Sequence, residues 1–330
     1  RSALFTPFSH LGVIVIDEEH EGSYKSENAP RYHAREAAIE RARMCGAFVV
    51  LGSATPSVDS YERTKEGLYR LYELPFRVEN RAMPETEVVD LREELRMGNR
   101  SVFSARLKEL MEERLRKGEQ IMLFLNRRGY AGFVSCRACG HVIKCPHCDV
   151  SLSLHGGGRM VCHYCGYQTR AAKKCPSCGS IYIGAFRAGT QQVAEAAAKA
   201  FPGARILRMD FDTTRQKGGH ERILEAFSKK QADILVGTQM IVKGHDFPGV
   251  TLVGVLAADL SLYAGDYRSA ERTFQLLVQA AGRAGRGERT GRAVIQTYTP
   301  ENDVIQCAAR QDYQGFYERE TRMRQLRRFP

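Results

Sequence analysis

Eight of the ten cysteines lie in one stretch of the chain, as four Cys-x-x-Cys pairs. A Cys-x-x-Cys turn directs two thiolates at one point, and two such turns complete a tetrahedral four-thiolate zinc site. Four turns therefore predict two zinc ions, and a metal closed by four thiolates is structural rather than catalytic. Disulfides are the alternative, but the spacing is that of metal ligands and no secretory segment is visible. The pairs are Cys136/Cys139, Cys145/Cys148, Cys162/Cys165 and Cys175/Cys178.

The pairing of these turns has two alternatives. In a sequential arrangement the first two turns share one ion, with only five residues between them. In a nested arrangement the outer turns share one ion and the inner turns share the other. The thirteen residues between the inner turns, with glycines at 156–158, are typical of a zinc-ribbon hairpin and favour nesting. Nesting assigns Cys136, Cys139, Cys175 and Cys178 to zinc 1 and Cys145, Cys148, Cys162 and Cys165 to zinc 2. We expect His141, His147, His155 and His163 to be ordinary surface residues.

The overall composition limits the classes of protein that fit. A chain of 330 residues is long enough for two or more domains, and 43% hydrophobic with 26% charged residues is typical of a soluble globular protein. No run of 18 apolar residues occurs, so neither a transmembrane helix nor a membrane partner is expected. The formal net charge of +11 favours a polyanionic partner, with nucleic acid before a membrane surface. Reduced metal-binding cysteines indicate a reducing compartment.

A second group of reactive side chains follows an apolar run near the start of the chain. Residues 11–16 predict a buried parallel strand of an α/β sheet. An acidic turn (Asp17, Glu18, Glu19 and His20) comes directly after it, where open α/β sheets bind ligands. In a nucleotide-hydrolysing motor the first carboxylate holds Mg²⁺ and the next polarises the attacking water. The alternative is a solvated turn that begins a helix.

The segment after this turn interleaves aromatic and cationic residues, and we call residues 24–35 the aromatic loop. Such a mixture suits stacking on bases together with neutralisation of phosphates, which predicts contact with DNA. The alternative is a loop whose tyrosines pack on their own domain. The candidate DNA-binding residues are Tyr24, Lys25, Arg31, Tyr32, His33 and Arg35.

Taken together, the motifs resemble those of superfamily 2 helicases. Residues 48–51 predict a second apolar strand, and Ser53-Ala54-Thr55 follows it, as motif III follows motif II in that superfamily. Residues 237–247 resemble motif V, and residues 279–286 read Gln-x-x-Gly-Arg-x-Gly-Arg, as in motif VI. The resemblance implies that Ser53, Thr55, Gly244 and Asp246 couple ATP hydrolysis to DNA contact. It implies catalytic roles for Asp17, Glu18, Glu19, His20, Gln279, Arg283 and Arg286.

The two arginines of motif VI are expected to act on the nucleotide. The pattern predicts a helix that ends in Arg283 and Arg286, which reach across a cleft and stabilise charge on the transferred phosphate. Arginine suits this role because its planar fork grips phosphate oxygens and stays charged. The alternative is that both arginines complement the dipole of their own helix.

A superfamily 2 core with four Cys-x-x-Cys pairs in its second lobe resembles the primosomal protein N-prime family of replication-restart helicases. The likeness covers nearly the whole chain, and the nested zinc pairing also matches that family. It implies an ATP-dependent 3′–5′ DNA helicase that binds stalled forks and promotes primosome assembly, with ATP, Mg²⁺ and two structural zinc ions as cofactors. The implied partners are forked or single-stranded DNA, single-stranded DNA-binding protein and primosome components, in a bacterial cytoplasm at the nucleoid.

The predicted fold is α/β, with two RecA-like helicase lobes, the first one partial, and an all-cysteine double zinc-binding insertion in the second. Five charged residues between motifs V and VI are expected to form salt bridges on a solvated face: Asp259, Asp266, Arg268, Glu271 and Arg272. The predicted segments are lobe 1 at 1–75, a connector at 76–101, lobe 2 at 102–134 and 185–300, a zinc module at 135–184 and a helical segment at 301–330.

One motif of such motors is missing, because no Gly-x-x-x-x-Gly-Lys-Ser/Thr occurs in the sequence. Without it a triphosphate lacks its backbone cradle and its lysine. We therefore expect the chain to be a fragment of the full enzyme, inactive alone, with this motif upstream of Arg1 and a further domain after Pro330. Two other functions are open: a non-enzymatic zinc-ribbon adaptor that binds DNA or partners on a degenerate helicase scaffold, and another zinc-bearing superfamily 2 translocase.

Overall fold

The computed structural model describes residues 1–76, 82–125, 132–186, 188–215, 218–242, 246–263, 266–287 and 289–329. The chain divides into two compact units, Arg1–Glu73 and Leu74–Pro330. Among the helices in these ranges, none is both long and apolar enough to cross a membrane.

The smaller unit is built on two parallel strands that a helix connects. The strands pair in register over their whole length, and the helix between them packs against both. His33 caps the start of the first helix and Ser57 the start of the second, each by accepting a hydrogen bond from a backbone N–H of the first turn. The elements are β1 (Val13–Ile16), α1 (Ala34–Cys45), β2 (Phe48–Leu51) and α2 (Val58–Lys65).

Strand β1 is parallel to β2 as predicted, but the prediction that it is buried is wrong. Val13 and Val15 are 53% and 66% exposed, whereas Ile16 is 5% exposed. Successive side chains of a strand point to opposite faces. In the described part of this unit the sheet has two strands, and the alternating exposure indicates that α1 covers one of its faces.

Within its described residues, the larger unit contains a six-stranded parallel sheet and the zinc module. Its strands are β3 (Glu85–Asp90), β4 (Gln120–Leu125), β5 (Val134–Cys136), β6 (Ser153–His155), β7 (Arg159–Val161), β8 (Gln168–Arg170), β9 (Ile183–Ala185), β10 (Ile206–Met209), β11 (Ile234–Gly237), β12 (Val250–Leu256) and β13 (Arg292–Thr297). Its helices are α3 (Leu91–Arg96), α4 (Ala105–Arg116), α5 (Thr190–Ala200), α6 (Gly219–Ser228), α7 (Asp259–Leu262), α8 (Ser269–Ala281), α9 (Asp303–Arg310) and α10 (Tyr313–Arg327).

The six strands lie in the order β10-β11-β4-β12-β13-β3, and every neighbouring pair is parallel. All residues of β4, β11 and β12 are buried, as expected for strands covered on both faces. Leu107 and Leu110 of α4 belong to the same core as Leu123 of β4. The alternation of strands and helices confirms the predicted α/β class.

Residues 76–101, predicted as an inter-lobe connector, contain regular structure that belongs to the larger unit. β3 is the edge strand of the six-stranded sheet and pairs with β13 from Glu85↔Arg292 to Asp90↔Thr297. Its sequence, Glu-Thr-Glu-Val-Val-Asp, is mostly polar, which suits an edge position but hides the strand from a search for apolar runs. The proposed limits of the other segments stay predictions.

The segment between motifs V and VI is more buried than predicted. Asp259 is 4% exposed and accepts hydrogen bonds from Thr297 Oγ1 at 2.7 Å and from the backbone N–H of Tyr298 at 2.9 Å. Glu271 is 5% exposed and pairs at 2.7 Å with Arg324, which attaches α10 to α8. The expectation of a solvated face is wrong for these two carboxylates, because helices and strands distant in sequence enclose them.

Candidate metal centres and nucleotide site

Eight cysteine thiols gather in two clusters within the zinc module. In each cluster all four Sγ atoms lie within 4.8 Å of one another. This grouping confirms the nested pairing, and the sequential alternative is wrong. The clusters are Cys136, Cys139, Cys175 and Cys178 for zinc 1, and Cys145, Cys148, Cys162 and Cys165 for zinc 2.

The sulfur spacing fits zinc rather than disulfides. The Sγ–Sγ distances are 3.7 Å for Cys136–Cys178 and 3.6 Å for Cys145–Cys165. A tetrahedron with zinc–sulfur bonds of about 2.3 Å has edges of about 3.8 Å, whereas the sulfur atoms of a disulfide lie about 2.0 Å apart. Both clusters therefore suit a structural four-thiolate zinc ion.

All four Cys-x-x-Cys turns share one backbone pattern. The residue after the second cysteine donates its N–H to the carbonyl oxygen of the first, at 2.8–3.0 Å. Its φ lies between 54° and 76°, a left-handed conformation that glycine adopts without strain. The chain can then fold back over the metal. These residues are Gly140, Asp149, Gly166 and Gly179.

Backbone N–H groups in these turns also favour the thiolate form of the ligands. Hydrogen bonds, first among them that from the backbone N–H of Cys165, lower the pKa of Cys162 to about 7, whereas burial raises the pKa of Cys136 to about 12. Zinc binds the thiolate, so a lowered pKa reduces the competition from protons.

The zinc module is attached to the lobe near the end of the parallel sheet. Arg137, between the first two ligands, donates from Nε to the hydroxyl oxygen of Tyr298 at 3.0 Å, directly after β13. Ser151 donates to the carbonyl oxygen of Tyr263 at 2.6 Å, and the rings of Phe133 and Tyr263 lie 5.0 Å apart. The module is therefore fixed to the lobe that carries motifs V and VI.

Replacing Gly140 by alanine is expected to destabilise the protein more than the same change at Gly179. Both glycines have a left-handed φ, of 76° and 71°. A residue with a Cβ in this conformation destabilises the folded state by about 1–2 kcal/mol. A Cβ at Gly140 would also collide with the carbonyl oxygen of Tyr298, whereas nothing lies within 4 Å of a Cβ at Gly179. Overpacking adds about 1–3 kcal/mol. Denaturant unfolding of the two zinc-loaded variants measures the difference in the free energy of unfolding. Equal losses of this free energy in the two variants would contradict the attachment at Tyr298.

The three carboxylates of the acidic turn differ in their exposure to solvent. Asp17 is exposed and the Glu18 side chain is 40% exposed, so both can meet a cation or water. Glu18 has a φ of 48°, and Asp17 Oδ1 accepts its backbone N–H at 3.0 Å. Glu19 is 2% exposed and enclosed by protein groups. The predicted catalytic role therefore suits Asp17 and Glu18 and does not fit Glu19.

The structure brings the acidic turn and Ser53-Ala54-Thr55 together. A hydrogen bond of 2.7 Å joins His20 Nδ1 to Ser53 Oγ. Ser53 Oγ also accepts the backbone N–H of Thr55 at 3.0 Å. A shift of either segment therefore displaces the other.

The aromatic loop contains exposed residues and half-buried residues whose side chains contact their own unit. Lys25 and Arg31 are exposed, as a DNA contact requires. Tyr24 donates its hydroxyl to the carbonyl oxygen of Asp17 at 2.7 Å, and the ring of Tyr32 packs edge-on against Phe5.

Two residues of the aromatic loop have structural roles that the sequence analysis did not predict. His33 caps α1, because its side chain accepts the backbone N–H of Arg35. Arg35 is 6% exposed and pairs with Glu19 at 2.9 Å. The prediction that Arg35 contacts DNA does not fit this buried position.

The arginines of motif VI lie beyond a helix rather than in its last turn. α8 ends at Ala281, Arg283 follows in a turn, and Arg286 lies directly after that turn. The prediction that both arginines lie in the last turn of a helix is therefore wrong, because α8 ends before either of them. The chain can turn here because Gly285 has a φ of 68° and lies against the backbone of Gly291, where a Cβ would collide.

Arg286 also meets motif V. Its Nη1 lies 3.7 Å from Asp246 Oδ1, and its Nε donates to the carbonyl oxygen of Gly282 at 3.2 Å. Gln279 is half-buried on the last turns of α8. Gly244, the other predicted residue of motif V, lies outside the described residues.

Family models match two parts of this chain. Residues 145–170 match the PriA DNA helicase Cys-rich region (CRR) domain, and residues 182–288 match the helicase conserved C-terminal domain. The first match contains all four ligands of zinc 2. The second begins after the last ligand of zinc 1 and ends after motif VI.

Whole-chain relatives are named replication restart protein PriA. The chain is 56% identical to the protein of Bacillus subtilis (strain 168), 49% to that of Synechocystis sp. and 41% to that of Chlamydia pneumoniae. Each alignment covers 100% of this chain. The chain belongs to the PriA family. It spans 41–45% of the length of these relatives.

Several residues that hold these PriA-family motifs in place were missed by sequence reasoning. Ser57 and Ser60 form the start of α2 and bind Glu19, and a Ser-x-x-Ser pattern at a helix start was the available signal. Tyr298 had no such signal, because its bond to Arg137 joins residues 161 positions apart.

Proposed function

We propose that these residues form most of the motor of an ATP-dependent 3′–5′ DNA helicase that binds stalled replication forks and promotes primosome assembly. The observation that carries the proposal is whole-chain identity of up to 56% to proteins named replication restart protein PriA. The helicase motifs quoted above lie within that alignment and supply the chemistry.

The acidic turn supplies the groups for nucleotide hydrolysis in this proposal. Asp17 holds the Mg²⁺ that accompanies ATP, and Glu18 orients the attacking water. Their exposure at the carboxyl end of β1 supports these roles. Bound Mg²⁺ neutralises charge that develops on the phosphates. His20, through its bond to Ser53, links this turn to motif III.

Motif VI supplies the positively charged groups that act on the nucleotide in this proposal. Arg283 and Arg286 stabilise the charge that develops on the transferred phosphate, and Gln279 lies on the helix that precedes them. The pairing of Arg286 with Asp246 supports a role for both in coupling hydrolysis to DNA contact.

DNA is the proposed polyanionic partner. The net charge of +11 and the exposed Lys25 and Arg31 of the aromatic loop support forked or single-stranded DNA. Single-stranded DNA-binding protein and primosome components are proposed as protein partners, in the cytoplasm at the nucleoid. The zinc ions stabilise the zinc module and leave no coordination position open for substrate.

The 330-residue chain alone is expected to show no DNA-stimulated ATP hydrolysis, because the sequence lacks Gly-x-x-x-x-Gly-Lys-Ser/Thr. A protein of the relatives' full length that contains these residues is expected to hydrolyse ATP and to unwind a duplex with a 3′ single-stranded tail. Phosphate release with and without single-stranded DNA is the measurement, and a 5′-tailed duplex is the control. Absence of hydrolysis in the longer protein would favour the zinc-ribbon adaptor instead.

A further inference from the structure

A buried ion pair lies behind the acidic turn of the smaller unit. Arg35 Nη1 donates to Glu19 Oε2 at 2.9 Å, and the two residues are 6% and 2% exposed. Glu19 also accepts the backbone N–H of Ser57 at 2.5 Å and the hydroxyl of Ser60 at 2.8 Å. Its carboxylate thus meets a guanidinium group and the start of α2, where the helix dipole favours an anion.

These contacts fix the backbone between the exposed acids and motif III. The N–H of Glu19 donates to the carbonyl oxygen of Gly52 at 3.1 Å, so its backbone and its side chain are both held. Glu18, the residue before it, has a left-handed φ of 48°. Such a conformation costs of order 1–3 kcal/mol and persists only where the surroundings over-determine it. Glu19 provides that constraint from one side of Glu18.

Arg35 lies at one end of the aromatic loop. The loop closes on itself, because Lys25 and His33 form an antiparallel bridge and the N–H of Ser26 donates to the carbonyl oxygen of Tyr32 at 2.8 Å. Tyr24, at the other end, donates to the carbonyl oxygen of Asp17. Both ends of the loop are therefore bonded to the acidic turn, and a displacement of the loop changes the position of that turn.

We infer that Glu19 and Arg35 are positioning residues for ATP hydrolysis, rather than a catalytic acid and a DNA contact. The inference rests on the proposed function. Arg35 holds Glu19, and Glu19 holds Glu18 and His20 in the orientation that hydrolysis requires. Loss of one partner leaves a buried charge unpaired, which is costly, so the turn relaxes away from this arrangement.

The test uses a protein of the relatives' full length. Arg35→Gln is expected to lower the kcat of DNA-stimulated ATP hydrolysis about tenfold, within the range of coupling between sites. The KM for ATP and the Kd for single-stranded DNA are expected to change by less than about twofold, because Arg35 is only 6% exposed and offers neither ligand a contact surface. Arg35→Lys, which keeps the charge, is expected to recover part of the rate. The double variant Glu19→Gln/Arg35→Gln removes both buried charges and is expected to show the same loss of kcat if the single variant does not fold.

Arg63→Gln is the matched control. Arg63 pairs with Glu36 at 3.1 Å and so also joins α2 to α1. Glu36 also accepts a hydrogen bond from Arg35 Nε at 3.1 Å, but neither Glu36 nor Tyr69, the other partner of Arg63, lies in the acidic turn. This variant is expected to keep the wild-type kcat.

Three results would overturn the inference. One is a wild-type rate in the folded variants of Arg35 and Glu19. Another is a loss confined to DNA affinity, which would make Arg35 a direct DNA contact. The third is a loss of equal size in Arg63→Gln, which would indicate a general effect on the helices. If the wild-type protein shows no DNA-stimulated hydrolysis, the proposed function itself fails and this inference falls with it.

Discussion

Replacing Arg286 by alanine in a protein of the relatives' full length is expected to lower DNA-stimulated ATP hydrolysis by about 10³-fold. An arginine that meets the transferred phosphate contributes 10³–10⁵-fold in related phosphoryl-transfer motors. Arg286 is partly exposed, and its pairing with Asp246 at 3.7 Å leaves the planar fork at the surface of the lobe. Phosphate release at saturating single-stranded DNA measures the rate. DNA affinity, measured by fluorescence anisotropy, is expected to be largely unchanged.

Arg289→Ala provides the control for the loss of one positive charge in the same segment. Arg289 is 65% exposed and pairs with Glu119, whose carboxylate also binds Arg114. This variant is expected to hydrolyse ATP at the wild-type rate. Arg286→Lys is expected to recover little of the rate of ATP hydrolysis, because lysine keeps the charge but lacks the planar fork. Hydrolysis that survives in Arg286→Ala would contradict the assigned role, and so would an equal loss in Arg289→Ala.

Features set by local sequence were predictable. The Cys-x-x-Cys turns place their ligands through residues that are adjacent in the chain, and the thirteen-residue inner gap indicated the hairpin that β6 and β7 form. The apolar run of β4 and the Ser104 cap at the start of α4 are also local signals, of a buried strand and of a helix start.

Features that depend on partners distant in sequence were not predictable in the same way. Arg35 looks like a DNA contact beside Tyr32 and His33, and only the folded unit places Glu19, Ser57 and Ser60 around it. Asp259 likewise looks like a surface charge until the end of β13 packs over it. A single sequence carries no direct signal for such contacts, because burial of a charge depends on what the rest of the chain supplies.

The prediction that β1 is buried was wrong for a related reason. The apolar residues of β1 indicate a strand covered on both faces, yet Val13 and Val15 are exposed in the described unit. Edge strand β3 shows the opposite error, because its polar residues concealed a strand that pairs along its full length with β13. The apolar residues of a strand show that it can pack against other apolar surfaces. They do not show how many layers cover the strand, because that number depends on the folded unit as a whole.

Two double cysteine variants are expected to differ in zinc content, with one zinc ion per chain in the first and none in the second, although each removes two ligands. The chain itself should contain two zinc ions, one in each cluster. Cys136→Ser/Cys175→Ser removes two ligands of zinc 1 and should retain one zinc per chain. Cys136→Ser/Cys145→Ser removes one ligand from each cluster and should lose both ions during dialysis against a chelator. Metal analysis of the purified chains measures the difference.

The reason is that ligands of one ion share a site only in the folded module. Cys136 and Cys178 lie 3.7 Å apart across 42 residues, as do Cys139 and Cys175 across 36. Structural zinc contributes about 10–16 kcal/mol in zinc-finger peptides, so a site that loses a thiolate gives up much of its folding energy. In a sequential pairing the two results would be exchanged, because Cys136 would then share its ion with Cys145 and not with Cys175. One zinc in Cys136→Ser/Cys145→Ser, or fewer than two in the unmodified chain, would therefore contradict the nested four-cysteine sites.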